Sequence, residues 1–183
     1  MTNAKETLDL ILHRQSDRKY SDRSVESDKI DRITEAGRMA PSACNSQPWK
    51  FIVVNDPMVL KDLARAAVEP LTGMNSFAGQ APVIIVIVRE NPNFSSKFGS
   101  SVKRKDYSRI DIGITCQNIC LQATAEGLGS CILGWFDEKK VRKILRIPSS
   151  KRVELLITLG YAESEYREKR RKPKDQVVSY NTY

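Results

Sequence analysis

The feature that most constrains the fold of this chain is the run PVIIVIV at residues 82–88. Valine and isoleucine fill every position after the proline, so β-branched apolar side chains point to both faces of a strand. Such a strand is stable when helices cover both faces of its sheet. The chain has 183 residues, enough for one substantial core. We therefore expect a single domain, residues 1–183, built on a sheet with helices on both sides.

Around this strand, apolar spacing and capping residues predict alternating helices and strands. Helices are predicted over residues 4–14, from an N-cap at Ser27 to Ala40, over 57–68, over 108–126, and from a cap at Asp137 to Pro148. Further strands are predicted at 51–54, within SCILGWF at 130–136, and at 153–161. Residues 91–104 show little periodicity, which is typical of an irregular segment that covers a site.

Several common chemistries lack their sequence signatures. No strand is followed by GxGxxG, and no GxxxxGK phosphate loop is present. The single histidine, His13, has no predicted catalytic partner. A structural zinc site needs four ligands, so Cys116 and Cys120, spaced by four, are not expected to bind metal. The four cysteines are irregularly spaced and are predicted to be reduced thiols.

No apolar run approaches the ~20 residues of a membrane-spanning helix. The first ten residues, MTNAKETLDL, also lack the apolar centre of a secretion signal. We therefore expect a cytoplasmic protein that does not bind membranes.

The net charge of +8 indicates a partner with negative charge. The basic residues are scattered, apart from YREKRRKPK at 166–174. By charge pattern alone this run favours a solvated tail, and binding of an anion such as nucleic acid is the alternative.

The stretch APSACNSQPWKFIVV at 40–54 is unusual for a connector. It places hydroxyl and amide side chains between two prolines, directly before a buried strand. Prolines restrict a loop and reduce the entropy lost when it is ordered over a ligand. So many polar side chains need partners, which favours a binding loop over an ordinary turn. A small buried thiol is the expected role of Cys44 within it.

These segments occur in an informative order. RQSDR at 14–18 follows the first helix, PSACNSQPW at 41–49 follows the second, GWFDE spans 134–138, LGY ends the last strand, and KRRKP at 169–173 lies in the tail. Together they resemble the nitroreductase family of FMN-dependent oxidoreductases over almost the whole chain. The resemblance implies an α+β three-layer sandwich, with a mostly antiparallel sheet flanked by helices. It also implies a homodimer in which the C-terminal tail is exchanged with the partner.

By the same resemblance, FMN binds at the dimer interface and is held by residues of both subunits. The cofactor-binding residues implied for this chain are Arg14, Gln15, Ser16, Arg18, Pro41, Ser42, Ala43, Asn45, Gln47, Gly134, Trp135, Lys169 and Arg171. The loop from Pro41 would come from the partner subunit, and Gly134 and Trp135 would offer backbone to the flavin's N5 edge. Trp135 as a packed core aromatic is the alternative.

Charge chemistry agrees with the proposed phosphate end of this site. A phosphomonoester carries nearly two negative charges near neutral pH, and guanidinium groups match its oxygens in a bidentate manner. Arg14, Lys169 and Arg171 come from opposite ends of the chain, and we expect them to converge on one anion.

The resemblance implies hydride transfer from NAD(P)H through flavin N5 to a nitroaromatic, a quinone or an activated enone, with no catalytic residue from the protein. A dehalogenase or oxidase of the same fold is one alternative, and a nucleic-acid-binding module is another. Lys103, Arg104, Lys105 and Arg109 could recognise the 2′-phosphate of NADPH.

The chain departs from the family pattern before the central strand. Many members have a lysine there, near flavin N1 and O2. This chain offers Asn75, Ser76 and Gln80 instead, which leaves Arg18 as the cation on that side.

Overall fold

The structure is a computed structural model, and it describes residues 3–92 and 105–183. The helices are α1 (Ala4–His13), α2 (Ser27–Arg38), α3 (Pro57–Ala67), α4 (Tyr107–Ala125) and α5 (Glu138–Ile144). The strands are β1 (Trp49–Val54), β2 (Val83–Arg89), β3 (Gly129–Leu133) and β4 (Arg152–Gly160). Short 3₁₀ turns occur at Ala43–Asn45, Ser76–Gln80 and Lys174–Gln176.

The four strands form one antiparallel sheet in the order β1-β2-β4-β3. Along β2, alternate residues enter two separate cores. Ile84, Val86 and Val88 pack on the side of α3 and α5, whereas Val83, Ile85 and Ile87 pack on the side of α2 and α4. The sheet is therefore the middle layer of a three-layer α+β sandwich, which confirms the predicted fold class.

Helix ends follow local rules in most places. Asn3 and Glu6 form a capping box at the start of α1, and the Asp56 carboxylate accepts hydrogen bonds from two backbone N–H groups of α3. The prediction that Ser27 caps α2 is wrong. Glu26 is the N-cap, because its backbone is extended and its carbonyl accepts the first helical hydrogen bond, from the Ile30 N–H. The same helix ends at Arg38, two residues before the predicted end.

The long helix α4 is buried along much of its length, since its apolar residues are spread around the helix rather than along one stripe. In contrast, α1 contributes no buried residue, and its apolar face is exposed. Most of the segment predicted to cover a site, together with Lys103 and Arg104, lies outside the described residues. The exchange of the tail between subunits stays a prediction.

No described helix is both long enough and apolar enough to cross a bilayer. Within residues 3–92 and 105–183, no group of three or more potential metal ligands is found either.

Candidate functional site

The segment that follows α1 is held against the edge of the sheet. Ser16 forms a parallel bridge with Ser130 of β3, and Tyr20 forms an antiparallel bridge with Ala162, just after β4. The Asp17 N–H donates to the carbonyl of Ser130 at 3.0 Å. Because β3 and β4 are themselves paired, these bridges fix the RQSDR motif beside the end of β4.

A buried tyrosine links the same segment to the sheet by hydrogen bonds. Tyr20 is 5% exposed, and its hydroxyl donates to the Asp17 carbonyl at 2.8 Å and hydrogen-bonds the Thr158 hydroxyl at 2.8 Å. Burial raises the pKa of Tyr20 well above its usual value, so the phenol is a neutral hydrogen-bonding group at physiological pH. This contact ties the motif to the central core of the sheet.

The chain after β4 runs back along the motif. The Glu163 N–H donates to the Lys19 carbonyl at 3.0 Å, and the Arg18 N–H donates to the Ser164 hydroxyl at 3.4 Å. This return path brings the basic tail to the end of α1.

Gln15 joins the motif to the tail through its side-chain amide. Nε2 donates to Asp17 Oδ1 at 2.8 Å and to the Glu165 carbonyl at 3.1 Å, and Oε1 accepts from the Arg167 N–H at 3.0 Å. The Arg167 guanidinium donates in return to the Ser16 carbonyl. The Gln15 side chain, predicted to bind the cofactor, thus makes its contacts with protein groups.

Three cations meet at the end of this path. The Lys169 ammonium donates to the Leu12 carbonyl at the end of α1. Its pKa is lowered, first by partial desolvation and then by the positive charges of Arg14 and Arg171. Among the described residues, none of the three forms an ion pair with a carboxylate. Neighbouring cations without carboxylate partners are suited to bind an anion. A phosphate dianion matches guanidinium and ammonium donors.

The loop before β1 has a strained backbone. Cys44, Asn45 and Gln47 have φ values of 52°, 51° and 46°, in the left-handed region that residues other than glycine rarely adopt. Trp49 and Phe51 stack with ring centroids 6.5 Å apart at the base of the loop. Strain of this kind persists only where the surroundings hold it, and it is concentrated at functional sites.

The polar side chains of this loop have partners within the loop. Ser42 Oγ accepts the Gln47 N–H at 2.9 Å, and Gln47 Nε2 donates to Asn45 Oδ1 at 3.1 Å. The argument that these groups need a ligand to satisfy them is therefore wrong. The expected burial of Cys44 is also wrong, since its side chain is exposed.

A buried carboxylate anchors the loop to α4. Asp111 is 3% exposed, and its Oδ1 accepts the Ala43 N–H at 3.2 Å. Burial raises the pKa of this carboxyl, and its second oxygen has no hydrogen-bond partner in the described part of the chain. The sequence signal was a lone aspartate within the apolar stretch IDIGI, which the helix prediction passed over.

Gly134 and Trp135 directly follow β3, which is the strand that Ser16 joins. Gly134 lies four positions after Ser130, or about 13 Å of extended chain. The Trp135 carbonyl accepts from Asn75 Nδ2 at 2.9 Å, and its side chain is 64% exposed, so it is not a core aromatic. Gln80, expected like Asn75 near the flavin edge, accepts the Tyr20 N–H at 3.3 Å.

The structure thus brings the motif and the tail together and places Gly134 and Trp135 directly after the strand that Ser16 joins. The loop that contains Pro41, Ser42, Ala43, Asn45 and Gln47 is bonded instead to α4, through the Ala43 N–H. Among the described residues, no hydrogen bond joins these five residues to the motif or the tail. Arg109, proposed for NADPH recognition, contacts Asp106 at 3.4 Å and Glu154 at 3.6 Å. Asp17 and Arg167 lie within segments that the sequence singled out, but neither was among the residues implied to bind the cofactor.

Comparison with known proteins gives a consistent result. The model of the Nitroreductase family matches residues 11–161. A protein of Archaeoglobus fulgidus, provisionally named an NADH dehydrogenase/NAD(P)H nitroreductase, is 34% identical over 165 residues, which span 88% of each chain. An oxygen-insensitive NADPH nitroreductase of Helicobacter pylori is 27% identical, covering 84% of this chain and 86% of its own. The solved structure of an FMN-dependent nitroreductase from Clostridium difficile superposes with a TM-score of 0.77 at 30% identity, covering 96% of this chain and 99% of that one.

Proposed function

Because the chain belongs to the nitroreductase family, we propose that it is an FMN-dependent oxidoreductase that takes reducing equivalents from NAD(P)H. The observation that carries this proposal is that the Lys169 ammonium donates to the Leu12 carbonyl, two residues before Arg14, while Arg14, Lys169 and Arg171 form no ion pair with a carboxylate in the described residues. Desolvation, and then repulsion by the charges of Arg14 and Arg171, lowers the pKa of this lysine. A flavin phosphate would neutralise that repulsion. The residues present therefore fit FMN at its charged end.

FMN, when bound, supplies a ring that accepts a hydride from NAD(P)H and passes it to an acceptor. The protein's residues bind and orient. Arg14, Lys169 and Arg171 would hold the phosphate, and Ser16 and Arg18 would contact the ribityl and pyrimidine side of the flavin. The backbone at Gly134 and Trp135 would face the N5 edge of the ring. No described side chain is required as an acid or a base.

We propose that the loop of residues 41–47 completes the site of a second copy in a homodimer. The loop is anchored to α4 through Asp111, and the same helix exposes Ile110 and Ile114. The neighbouring α1 exposes Leu8, Ile11 and Leu12, which are 55%, 43% and 47% exposed. Exposed apolar side chains on two helices in contact are typical of an interface between subunits.

The dimer proposal is tested by placing a charge on this face. Ile114→Glu should give a monomer in size-exclusion chromatography with light scattering, and the monomer should retain less flavin because loop 41–47 acts in trans. Met58→Glu is the control, since Met58 is 75% exposed on α3, on the other side of the sheet. A dimeric Ile114→Glu protein with full flavin content would contradict this interface.

The activity is tested on the purified protein. It should be yellow, its flavin spectrum should be bleached by NADPH or NADH without oxygen, and a nitroaromatic, a quinone or an activated enone should restore the colour. Restoration by halogenated aromatics alone, or by oxygen alone, would instead indicate the dehalogenase or oxidase alternative. A colourless protein whose affinity for DNA falls steeply with salt would refute the proposal. A cytoplasmic location stays a prediction, to be checked by cell fractionation.

A further inference from the structure

Lys169 and Arg171, the tail cations, lie on a segment without regular secondary structure. Residues 163–173 form no helix or strand, and most of them are exposed. Holding backbone in one conformation costs about 1–2 kcal/mol per residue. Repulsion between Lys169 and the charges of Arg14 and Arg171 also disfavours holding the ammonium group near the two arginines. Specific contacts must therefore hold these cations together before an anion binds.

Gln15 supplies two of those contacts through one side chain. It donates to the Glu165 carbonyl and accepts from the Arg167 N–H, as a neighbouring strand would. Asp17 fixes the orientation of the amide, because its Oδ1 accepts from Nε2 and leaves Oε1 to face the tail. Asp17 is itself 5% exposed, and no side chain larger than glycine fits at position 129 beside it, where an added Cβ would lie 2.7 Å from Oδ2.

Arg167 completes the connection from the tail side. Its backbone donates to Gln15 and its guanidinium donates to the Ser16 carbonyl. The two residues thus join the motif and the tail reciprocally, immediately before Lys169. Since both ends of the Gln15 amide are engaged by protein, this side chain acts on a ligand only through the tail.

We propose that Gln15 and Arg167 are positioning residues that hold the tail cations beside Arg14, and that they thereby set the preference for a flavin carrying a phosphate over one without. This inference rests on the proposed flavin site. It concerns the phosphate end alone, so it predicts a selective effect rather than a general loss of flavin binding.

The test uses the full chain freed of flavin and titrated with FMN and with riboflavin, which lacks the phosphate. Gln15→Leu should weaken FMN binding about tenfold or more, the equivalent of losing one or two hydrogen bonds. Riboflavin binding should change by less than about twofold. Because this substitution alters no charge, a selective loss of FMN affinity has to be transmitted through the tail.

Arg167→Gln should show the same selectivity and serves also if Gln15→Leu does not fold, since Arg167 is exposed. Lys172→Gln is its charge-matched control and should leave both affinities within about twofold. Amide hydrogen exchange at residues 165–171 should be faster in both variants than in the unaltered protein, whereas thermal unfolding should be similar.

Each outcome has a distinct meaning. Unchanged FMN affinity in Gln15→Leu, or equal weakening of FMN and riboflavin, would overturn the positioning role. Equal affinity of the unaltered protein for the two flavins would also overturn it, while leaving flavin binding intact. Failure of the unaltered protein to bind either flavin would instead refute the proposed function.

Discussion

Gly37 lies where α2 packs against α4, and its replacement by alanine tests that contact. A Cβ at this position would lie 2.7 Å from Ile119 Cγ1, 2.9 Å from Ile119 Cδ1 and 3.2 Å from Phe51 Cε2. Ile119 is fully buried, and the Thr115 hydroxyl donates to the Gly37 carbonyl at 2.6 Å. The two helices are therefore bonded to each other at the glycine, and an added methyl would meet a side chain that is already fully buried.

The magnitude follows from two opposing effects. Alanine is favoured over glycine within a helix by about 0.5–1 kcal/mol. Forcing an extra methyl into a packed core costs about 1–3 kcal/mol. We expect Gly37→Ala to lower the free energy of unfolding by about 1–2 kcal/mol, measured by urea denaturation, because the methyl meets a buried and branched side chain.

Gly113→Ala is the matched control, since Gly113 lies within α4 and an added Cβ there meets nothing within 4 Å. It should raise the free energy of unfolding by about 0.5–1 kcal/mol. Gly113 is exposed close to Ile110 and Ile114, so the oligomeric state is measured on the same samples.

A double-mutant cycle identifies the contact. Ile119→Ala alone should cost about 2–5 kcal/mol by leaving a cavity. Adding Gly37→Ala should cost much less in that background, with a coupling energy of at least about 1 kcal/mol. A Gly37→Ala protein as stable as the unaltered chain, or a coupling energy near zero, would refute this account of the helix packing.

Three further predictions concern hydrogen bonds and charge. Tyr20→Phe removes a buried hydroxyl that bonds Thr158 and should lower the free energy of unfolding by about 1–2 kcal/mol in urea; no change would show that the hydroxyl is not buried and bonded as described. Asp56→Ala removes the N-cap of α3 and should cost about 1 kcal/mol, whereas Asp56→Asn should restore most of it. Hydrogen bonds from the Arg32 guanidinium lower the pKa of Glu126 from 4.5 to about 2, so this pair stabilises the fold above about pH 4.5 and the benefit is lost as the pH falls toward 2. Glu126→Gln should therefore reduce the decline in stability between pH 5 and pH 3, and an unchanged acid profile would contradict this.

Much of the fold could be predicted because its causes are local. The six apolar residues of β2 were enough to predict a strand covered on both faces, since alternate side chains of a strand must point in opposite directions. The caps at Asn3 and Asp56 are local in the same sense, because a capping side chain bonds backbone two or three residues away. The cap of α2 was misassigned because Ser27 and Glu26 are both compatible with a helix start, and the backbone angle that decides between them is not a property of residue type.

The candidate site was predicted by residue type but not by contact. The resemblance to the nitroreductase family implied Arg14, Lys169 and Arg171 as groups for one anion, and in the structure the charges of Arg14 and Arg171 both act on Lys169. The loop of residues 41–47 was predicted to bind a ligand because of its polar side chains, yet Ser42 and Gln47 satisfy each other inside the loop. Local hydrogen bonds of that kind depend on the left-handed backbone at Cys44, Asn45 and Gln47. None of these residues is a glycine, so the sequence did not predict that conformation.

The sequence by itself therefore determined the layers of the fold and most helix starts, because periodicity and capping depend on neighbouring residues. Its resemblance to a known family supplied the residues proposed for the anion site. Only the tertiary structure decided that Gln15 bonds the backbone around Glu165 and Arg167, and that Asp111 holds Ala43. These contacts join segments distant in the chain through single side chains. Such contacts produce no repeating pattern in the sequence, since their geometry exists only after the fold has brought the two segments together.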